Sequence, residues 1–487
     1  MHGSTVASRT DEQPGQSEPS DLYDGSVSLR IHDTATRSVR EFVPLEPGKA
    51  SIYLCGLTVQ GPPHIGHVRN WVTIDILRRW LTYRGYEVTY VRNVTDIDDK
   101  ILIKAAEAGE PWWALAYQYE REIRTAEVAL GCLPPTYEPR ATGHMTEMIE
   151  LINRLIDKGL AYESDGDVFF DVAALPSYGS LSGQKIDEMQ AAGDSAGDAR
   201  KRDPRDFALW KGHKPDEPGT ASWPTPWGRG RPGWHLECSA MSTKYLGPTF
   251  DIHGGGLDLV FPHHENELAQ SSGAGDGFAR YWVHNGLLNL SGTKMSKSIG
   301  NTLATTEVIK HWRPVEVRYY LGAAHYRSTM EFTPEALDEA AAAYRRIENF
   351  VERAGEASPS EELPAAFVAA MDDDLSVPAA LGVIHSRVRD GNTALELGDA
   401  AAAQAALSDV LAMTSILGIN PTEWADTASD ELVSTVDNLV RVALEQRANA
   451  RARKDFPAAD AIRDQLADAG VIVEDTPTGP RWTVKGH

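Results

Sequence analysis

Cysteine is scarce in this chain. Its 487 residues hold three, Cys55, Cys132 and Cys238, which argues against a disulfide framework and fits a reducing cytoplasm, where a thiol is free to bind metal. No uninterrupted apolar run approaches the length of a membrane span, and the N-terminus lacks the basic-then-apolar layout of a secretory signal. The expectation is a cytoplasmic protein with no membrane partner. Positive charge is also in deficit, with 47 Lys and Arg against 70 Asp and Glu for a net charge of −23. That balance argues against indiscriminate polyanion binding, so any nucleic acid must meet a locally basic surface. There is no internal repeat. What is present, 42% hydrophobic residues over this length, is enough for a large core and roughly three domains.

Residues 1–27 are rich in Ser, Glu, Asp, Gln, Gly and Pro without apolar pattern, and read as a disordered tail. From Ser28 the pattern is β-like, with Leu29 and Ile31 two apart, then Phe42, Val43 and Leu45. A strand at Ile52–Cys55 leads into a Gly/Pro loop, Gly56–Pro63, and a helical pattern runs from near His64 through Trp80 to stop before Arg84-Gly85. A strand, Val88–Val94, follows. Strand, loop, helix, strand opens a parallel α/β sheet, whose ligands sit beyond the carboxyl ends of the strands, so Cys55 and its loop occupy the default ligand position. Helical periodicity returns at Tyr117–Val128 and Met145–Ile156, a β-rich stretch surrounds Tyr162 and Val168–Val172, and Gln184–Arg205 reads as a mobile polar loop. This block interrupts the α/β domain. Thr333 and Pro334 form an N-cap and first-turn pair for a helix ending at Gly355, and Ala/Leu-rich segments from Pro378 and Ala400 extend a bundle. From about Leu432 come a cationic helix, the strand-like Val471–Val473 and Trp482.

The run FPHHENE, Phe261–Glu267, carries the first chemical signal. Pro262 suits a helix's first turn, and His263 and Glu267, four apart, then share one face. Cys55 and Cys238 are candidates for the other half of a metal site, and two thiolates, one imidazole and one carboxylate suit four-coordinate zinc. Spacing alone leaves open the ordinary reading of a capped histidine and two inert core cysteines. Cys132 reads as packing. Two further motifs are His64-Ile65-Gly66-His67 at the start of the first helix and Lys294-Met295-Ser296-Lys297-Ser298 in a downstream loop. Imidazoles at a helix N-terminus and lysines on a closing loop suit the charge that develops when ATP is attacked at its α-phosphorus.

In this order the two motifs resemble the HIGH and KMSKS signatures of class I aminoacyl-tRNA synthetases. Within that class, Tyr53–Val59, Tyr90–Lys100, Gly233–Met241, Asp251–Gly256 and FPHHENE resemble the cysteinyl-tRNA synthetase family, and Thr58–Pro63 is similar to its actinobacterial variants. The resemblance covers essentially everything after Ser28. It implies a Rossmann-type α/β catalytic domain in two halves, 28–136 and 233–333, with a connective insertion at 137–232. A helical bundle at 334–431 and a small mixed α/β anticodon-binding domain at 432–487 follow.

The resemblance further implies that Cys55, Cys238, His263 and Glu267 bind one zinc ion per chain, with His264 outside that set. The expected reaction joins L-cysteine to ATP, brought with Mg²⁺, and then transfers it to the 3′ end of tRNA(Cys). His64, Gly66 and His67 would meet the triphosphate, Lys297 the pyrophosphate with Lys294 in support, and Gly254, Gly255 and Gly256 the adenosine. Thr58, Thr95, Trp234, His235, His253 and Asp258 would line the substrate pockets. Arg441, Arg447, Arg451, Arg453, Lys454 and Arg463, with Trp482, would meet phosphates and an unstacked base, although Glu445, Asp455, Asp460 and Asp464 interleave as on a solvated helix face. A monomer is expected. The alternatives are the cysteine ligase of mycothiol biosynthesis, which lacks the terminal part present here, a non-catalytic RNA-binding paralogue, and a zinc hydrolase with Glu265 as base.

Overall fold

The computed structural model describes residues 28–185, 198–290, 293–294, 303–424, 427–476 and 479–484. The tail 1–27, the stretch 186–197 of the polar loop, and Lys297 lie outside the described residues. The chain divides into two compact units, one ending at Gly418 and one running from Ile419.

The first unit begins with an antiparallel hairpin, β1 (Arg30–Asp33) and β2 (Ser38–Glu41). Val43 and Leu45, read as strand from their pattern, instead follow β2 outside any strand. Their backbone donors go to side chains, Val43 N–H to the Tyr281 hydroxyl at 2.8 Å and Leu45 N–H to Asp251 at 2.5 Å. Next come β3 (Lys49–Leu54), α1 (Ile65–Tyr83) and β4 (Glu87–Arg92). His64 is the N-cap of α1, and the helix stops at Arg84 because Gly85 takes a φ of +84°. Helices α2 (Asp99–Ala108) and α3 (Trp112–Ala129) follow, the first capped by the Asp98 carboxylate accepting from Lys100 N–H at 2.9 Å.

After α4 (Met145–Asp157) the chain makes five short strands, β5 (Ala161–Ser164), β6 (Asp167–Phe170), β7 (Phe207–Gly212), β8 (Trp223–Thr225) and β9 (Gly228–Pro232). They form one antiparallel sheet in the order β5-β6-β7-β9-β8. Helix α5 (Trp234–Leu246), strand β10 (Thr249–Gly256), helix α6 (Glu265–Ala274) and strand β11 (Phe278–Asn285) then return to the first layer. The result is a wholly parallel sheet, β11-β10-β3-β4. Its strands carry buried apolar runs, Ile52-Tyr53-Leu54 in the central β3 and Tyr90-Val91 in the edge strand β4 among them, as a sheet covered by helices requires.

A three-stranded sheet follows in the order β13-β12-β14, made of β12 (Leu288–Leu290), β13 (Thr293–Lys294) and β14 (Met330–Phe332). Arg69 of α1, fully buried, donates to the carbonyls of Gly286 at 2.8 Å and Leu287 at 2.9 Å, tying the first helix to the segment that feeds β12. The helices α7 (Thr305–Val308), α8 (Pro314–Ala323), α9 (Pro334–Ala354), α10 (Ala365–Asp372), α11 (Val377–Leu397) and α12 (Ala400–Leu417) complete the unit. The Thr333 hydroxyl caps α9 by accepting from Ala336 N–H at 3.1 Å, and Gly355 ends it. By length and composition α12 is apolar enough to cross a membrane, although Gln404, Ser408 and Asp409 interrupt its apolar residues. Its buried residues, among them Leu407, Val410, Leu411 and Leu417, pack on α11 and α9.

The second unit holds α13 (Thr427–Ala452), α14 (Phe456–Asp468) and the hairpin β15 (Val471–Thr476) and β16 (Gly479–Val484), in which Val473 faces Trp482.

Candidate active site and metal centre

The carboxyl ends of the parallel strands gather the site. Cys55 follows β3, Asn93 follows β4, His253 lies in the last half of β10, and His284 is the penultimate residue of β11. Pairing of β10 with β3 sets His253 opposite Tyr53, and Cys55 N–H donates to Gly254 O at 3.4 Å. Helix α5 brings Cys238 in its second turn and α6 brings Glu267 in its first. Pro262 does not start that helix. It lies in a wide, kinked turn, Val260–His264, whose Phe261 has extended backbone angles, and α6 begins at Glu265. His263 and Glu267 nevertheless face each other, with Nε2 3.0 Å from Oε1.

Four donor atoms converge from three separate segments. Cys55 Sγ lies 3.5 Å from Cys238 Sγ and 3.2 Å from Glu267 Oε1. With His263 they form a wholly buried group whose ligand atoms all lie within 4.8 Å of one another. Among the described residues Glu267 has no Lys or Arg partner; the side-chain nitrogens beside it are those of the His253, His263 and His264 imidazoles. Burial first, and then Cys238, pushes the Cys55 thiol well above its ordinary range, and burial lifts Cys238 to about 11. Burial also holds His263 well below the usual imidazole value, so its lone pair is free. Its Nε2 is buried without a properly aligned hydrogen-bond partner. Soft donors, an orphaned imidazole nitrogen and a carboxylate without a counter-ion fit a buried cation.

The surrounding shell orients these donors. His235 Nδ1 lies 2.8 Å from His263 Nδ1, which leaves Nε2 to face the centre, and Trp234 stacks on the His263 ring at 4.0 Å. Burial lowers His235 to about 3, so this pair is neutral. His253, expected in a substrate pocket, is fully buried with Nε2 2.8 Å from Glu267 Oε2. It belongs to the cluster, and a second group of four, Cys55, His253, His264 and Glu267, also meets the distance condition for a metal. His264 Nδ1 bonds His284 Nε2 at 2.7 Å, and His284 Nδ1 bonds the Thr34 hydroxyl at 2.7 Å.

Thr95 donates to Glu237 Oε2 at 2.7 Å and accepts from Asn93 Nδ2 at 3.2 Å, while Asn93 Oδ1 accepts from Gly56 N–H at 2.7 Å. Thr58 and Thr95 are joined through their backbones, Val59 N–H donating to Thr95 O at 3.2 Å. Asn93, Glu237, His253 and His284 carried no metal-site role in the sequence reading. The available signals were their positions at strand ends and, for Glu237, adjacency to Cys238. Glu265, weighed as a hydrolytic base, is instead bonded to backbone, accepting from Gly179 N–H at 2.9 Å and Ser182 N–H at 2.7 Å. Asp258 is exposed, in the turn Leu257–Leu259 after β10.

At the head of α1 the His64 and His67 rings stack at 3.4 Å, and a side chain on Gly66 would meet the His64 ring at 3.1 Å. Ile65 N–H donates to Leu303 O at 3.1 Å and Thr305 N–H to Pro63 O at 3.0 Å, so the residues that follow the KMSKS run are sewn to the first helix. Lys294 pairs through its backbone with Asn289. Gly254 and Gly255 have a packing reason of their own. A Cβ would meet Ile74 at 3.1 Å in the first case and the His264 ring at 2.6 Å in the second. On Gly256 it would meet the Asp258 carboxylate at 2.5 Å.

Three family models match the chain: "tRNA synthetases class I (C) catalytic domain" over residues 41–342, "DALR domain" over 366–420 and "Cysteinyl-tRNA ligase anticodon binding domain" over 431–482. A cysteine–tRNA ligase of Streptomyces coelicolor is 58% identical over 471 residues, covering 95% of this chain and 76% of the relative. Those of Streptomyces griseus and Cutibacterium acnes are each 57% identical, over 94% and 95% of this chain and 99% and 98% of theirs. Among solved structures, Mycobacterium tuberculosis methionyl-tRNA synthetase with methionyl-adenylate shares the fold at a TM-score of 0.54 and 16% identity, over 77% of this chain and 92% of that one.

Proposed function

The chain belongs to the cysteine–tRNA ligase family of class I aminoacyl-tRNA synthetases, and from that premise we propose that it activates L-cysteine with ATP and transfers it to the 3′ end of tRNA(Cys). The observation that carries this reading is the buried meeting of Cys55, Cys238, His263 and Glu267 at the carboxyl ends of the parallel strands. Cys55 and Glu267 are common to both possible ligand groups. We favour the one with Cys238, because two thiolates suit a soft cation better than one. These four residues would hold zinc, which offers a position that accepts a thiolate far more readily than a hydroxyl. A pocket of ordinary contacts separates such near-isosteres only about a hundredfold, so this donor set is the seat of selectivity. His235 and His253 fix the directions of His263 and Glu267.

In the first step the cysteine carboxylate attacks the α-phosphorus of ATP, forming the mixed anhydride and releasing pyrophosphate, with Mg²⁺ travelling as part of the nucleotide. His64 and His67 donate to the triphosphate at the N-terminus of α1, where the helix adds its own partial positive charge. Lys297 neutralises the departing pyrophosphate, with Lys294 beside it. Gly254, Gly255 and Gly256 leave the β10 backbone open towards adenosine, and Thr58, Thr95, Trp234, His235 and Asp258 line the substrate pockets. In the second step a terminal ribose hydroxyl of the tRNA takes the aminoacyl group from the anhydride and AMP leaves.

Residues 28–136 and 233–333 supply the catalytic halves, 137–232 the insertion, 334–431 the bundle and 432–487 the anticodon contacts. The enzyme works as a cytoplasmic monomer. Purified protein should exchange labelled pyrophosphate into ATP with cysteine and not serine, and should charge tRNA(Cys) under the same conditions. Exchange without charging would instead favour transfer to an amino sugar, and no exchange would refute the reading.

A further inference from the structure

Arg69 is a buried cation beside which no carboxylate stands. The other buried arginines among the described residues each meet one: Arg92 pairs with Glu127 and Glu138, Arg231 with Asp99 and with Glu217 at 3.0 Å, and Arg318 with Asp75 at 2.5 Å. Arg69 donates instead to main-chain oxygens alone. Its Nη1 reaches Gly286 O at 2.8 Å and Leu287 O at 2.9 Å, and its Nη2 reaches Ser328 O at 2.5 Å and both His325 O and Tyr326 O at 3.3 Å. Burial lowers it to about 10, so it keeps its proton at neutral pH.

These oxygens belong to two backbone segments, 286–287 and 325–328, which lead into β12 and β14. The segments are drawn tightly together. Gly286 N–H donates to Tyr326 O at 2.7 Å and Met330 N–H to Leu287 O at 2.9 Å, and a Cβ on Gly286 would overlap the carbonyl oxygens of Ser328 and Arg327. From there β12 runs against the head of α1, where a Cβ on Gly66 would stand 4.0 Å from that of Leu288, and it pairs with β13, which ends at Lys294. Ile65, one turn before Arg69, holds Leu303 O on the far side of the KMSKS run. Both ends of that run are therefore anchored within one turn of α1. Stability alone does not call for a cation here, because buried charge is costly and packed apolar side chains commonly replace it without loss. A planar fork on carbonyls of two segments fixes direction and register, which apolar packing does not.

We propose that Arg69 is a positioning residue for adenylate formation, which sets β12 and β13, and with them the start of the KMSKS run, in place against His64 and His67. Its terminal nitrogens are taken up by carbonyls, so it acts through the backbone that leads to Lys294 and not on a phosphate. This rests on the functional reading above and supplies the link between the two motifs.

The test uses the full chain with Arg69→Met, Arg69→Lys, Lys297→Ala and the double variant Arg69→Met with Lys297→Ala. Cysteine-dependent pyrophosphate exchange reads adenylate formation, and titration of the cobalt-substituted protein with cysteine reads the amino-acid site. Arg69→Met should slow exchange about a hundredfold, the scale for a displaced reacting group, while bound metal and cysteine affinity stay within about twofold of wild type. Arg69→Lys should not restore the rate, since an ammonium keeps the charge and loses the fork. The double variant should exchange within a few-fold of Lys297→Ala alone, because the two residues serve one step. Restoration by lysine would make charge and not placement the cause, and multiplied losses in the double variant would make Arg69 merely structural; either result overturns the proposal, as does unchanged exchange in Arg69→Met. Should Arg69→Met fail to fold, Gly286→Ala parts the same two segments with the guanidinium intact. It should slow exchange and retain cysteine affinity, and normal exchange there would overturn the proposal as well. All these outcomes leave the functional reading standing, whereas wild-type protein that exchanged no pyrophosphate would bring down both.

Discussion

On the proposed reading selectivity would turn on Cys238, whose Sγ lies 3.5 Å from that of Cys55 and gives the cluster its second thiol. Cys238→Ser should lower bound metal below about one equivalent and weaken cysteine binding together, because ligand and charge balance are lost at once. With cobalt in place of zinc, cysteine should alter the thiolate-to-metal absorption and serine at the same concentration should not. Equal responses would make the metal structural. His284 bears on stability instead. Burial lowers it to about 3 while it bonds His264 and Thr34, so between that value and the unfolded value near 6.5 the unfolded chain binds the extra proton. Stability therefore rises with pH across this window, and acidification removes about 1.4 kcal/mol per pH unit for this imidazole. Urea midpoints read from pH 6 to pH 5 should fall less steeply in His284→Gln than in wild type.

Helix α11 contains two glycines, Gly382 and Gly391, whose replacement should have opposite effects. A methyl group on Gly382 meets nothing within 4 Å, so Gly382→Ala gains helix propensity and should stabilise by about 0.5–1 kcal/mol. On Gly391 the same methyl would come within 2.3 Å of the Phe350 ring and 3.0 Å of Ala406. That ring is buried in α9, and overpacking of about 1–3 kcal/mol outweighs the propensity gain; thermal melts of the two variants should shift in opposite directions. Helix α11 itself is legible in the sequence from Pro378 onwards, and α1 and α9 are more so, because His64, Thr333, Pro334 and Gly355 are local signals that act within one turn. Elements fixed by distant partners are harder to read. α5 is enclosed on most of its length, with Leu236, Cys238, Ser239, Ala240, Met241 and Ser242 all buried, so it carries no amphipathic stripe, and β8 and β9 are too short for a clear alternation. The start of α6 at Glu265 eluded the proline rule because Pro262 falls within the kinked turn Val260–His264 that precedes the helix. In the site, the i,i+4 pair His263 and Glu267 is written locally, whereas the contact of His253 with Glu267 depends on β10 lying beside β3.

The net charge of −23 makes tRNA recognition a matter of where exposed cations gather. The second unit, Ile419–His487, clusters as a compact body of its own, and within it Arg441, Arg451, Arg453 and Lys454 lie exposed around the end of α13. The donor cluster, the head of α1 and the parallel strands all belong to the first unit. Ending the chain at Gly418 removes cations and the β15–β16 hairpin while leaving every element that carries the metal donors. The truncated protein should keep cysteine-dependent pyrophosphate exchange within a few-fold of wild type and retain its bound metal. It should charge tRNA(Cys) poorly, with the defect in the tRNA KM more than in the exchange rate, because removing phosphate-binding cations weakens binding before it affects chemistry upstream. The salt dependence separates this from a folding defect. Truncation should flatten the slope of log affinity on log salt by about one for each phosphate that the second unit neutralises, while exchange stays insensitive to the deletion at every salt concentration. Undiminished charging would mean that the exposed cations of α13 are a solvated face and that the first unit alone reads the tRNA.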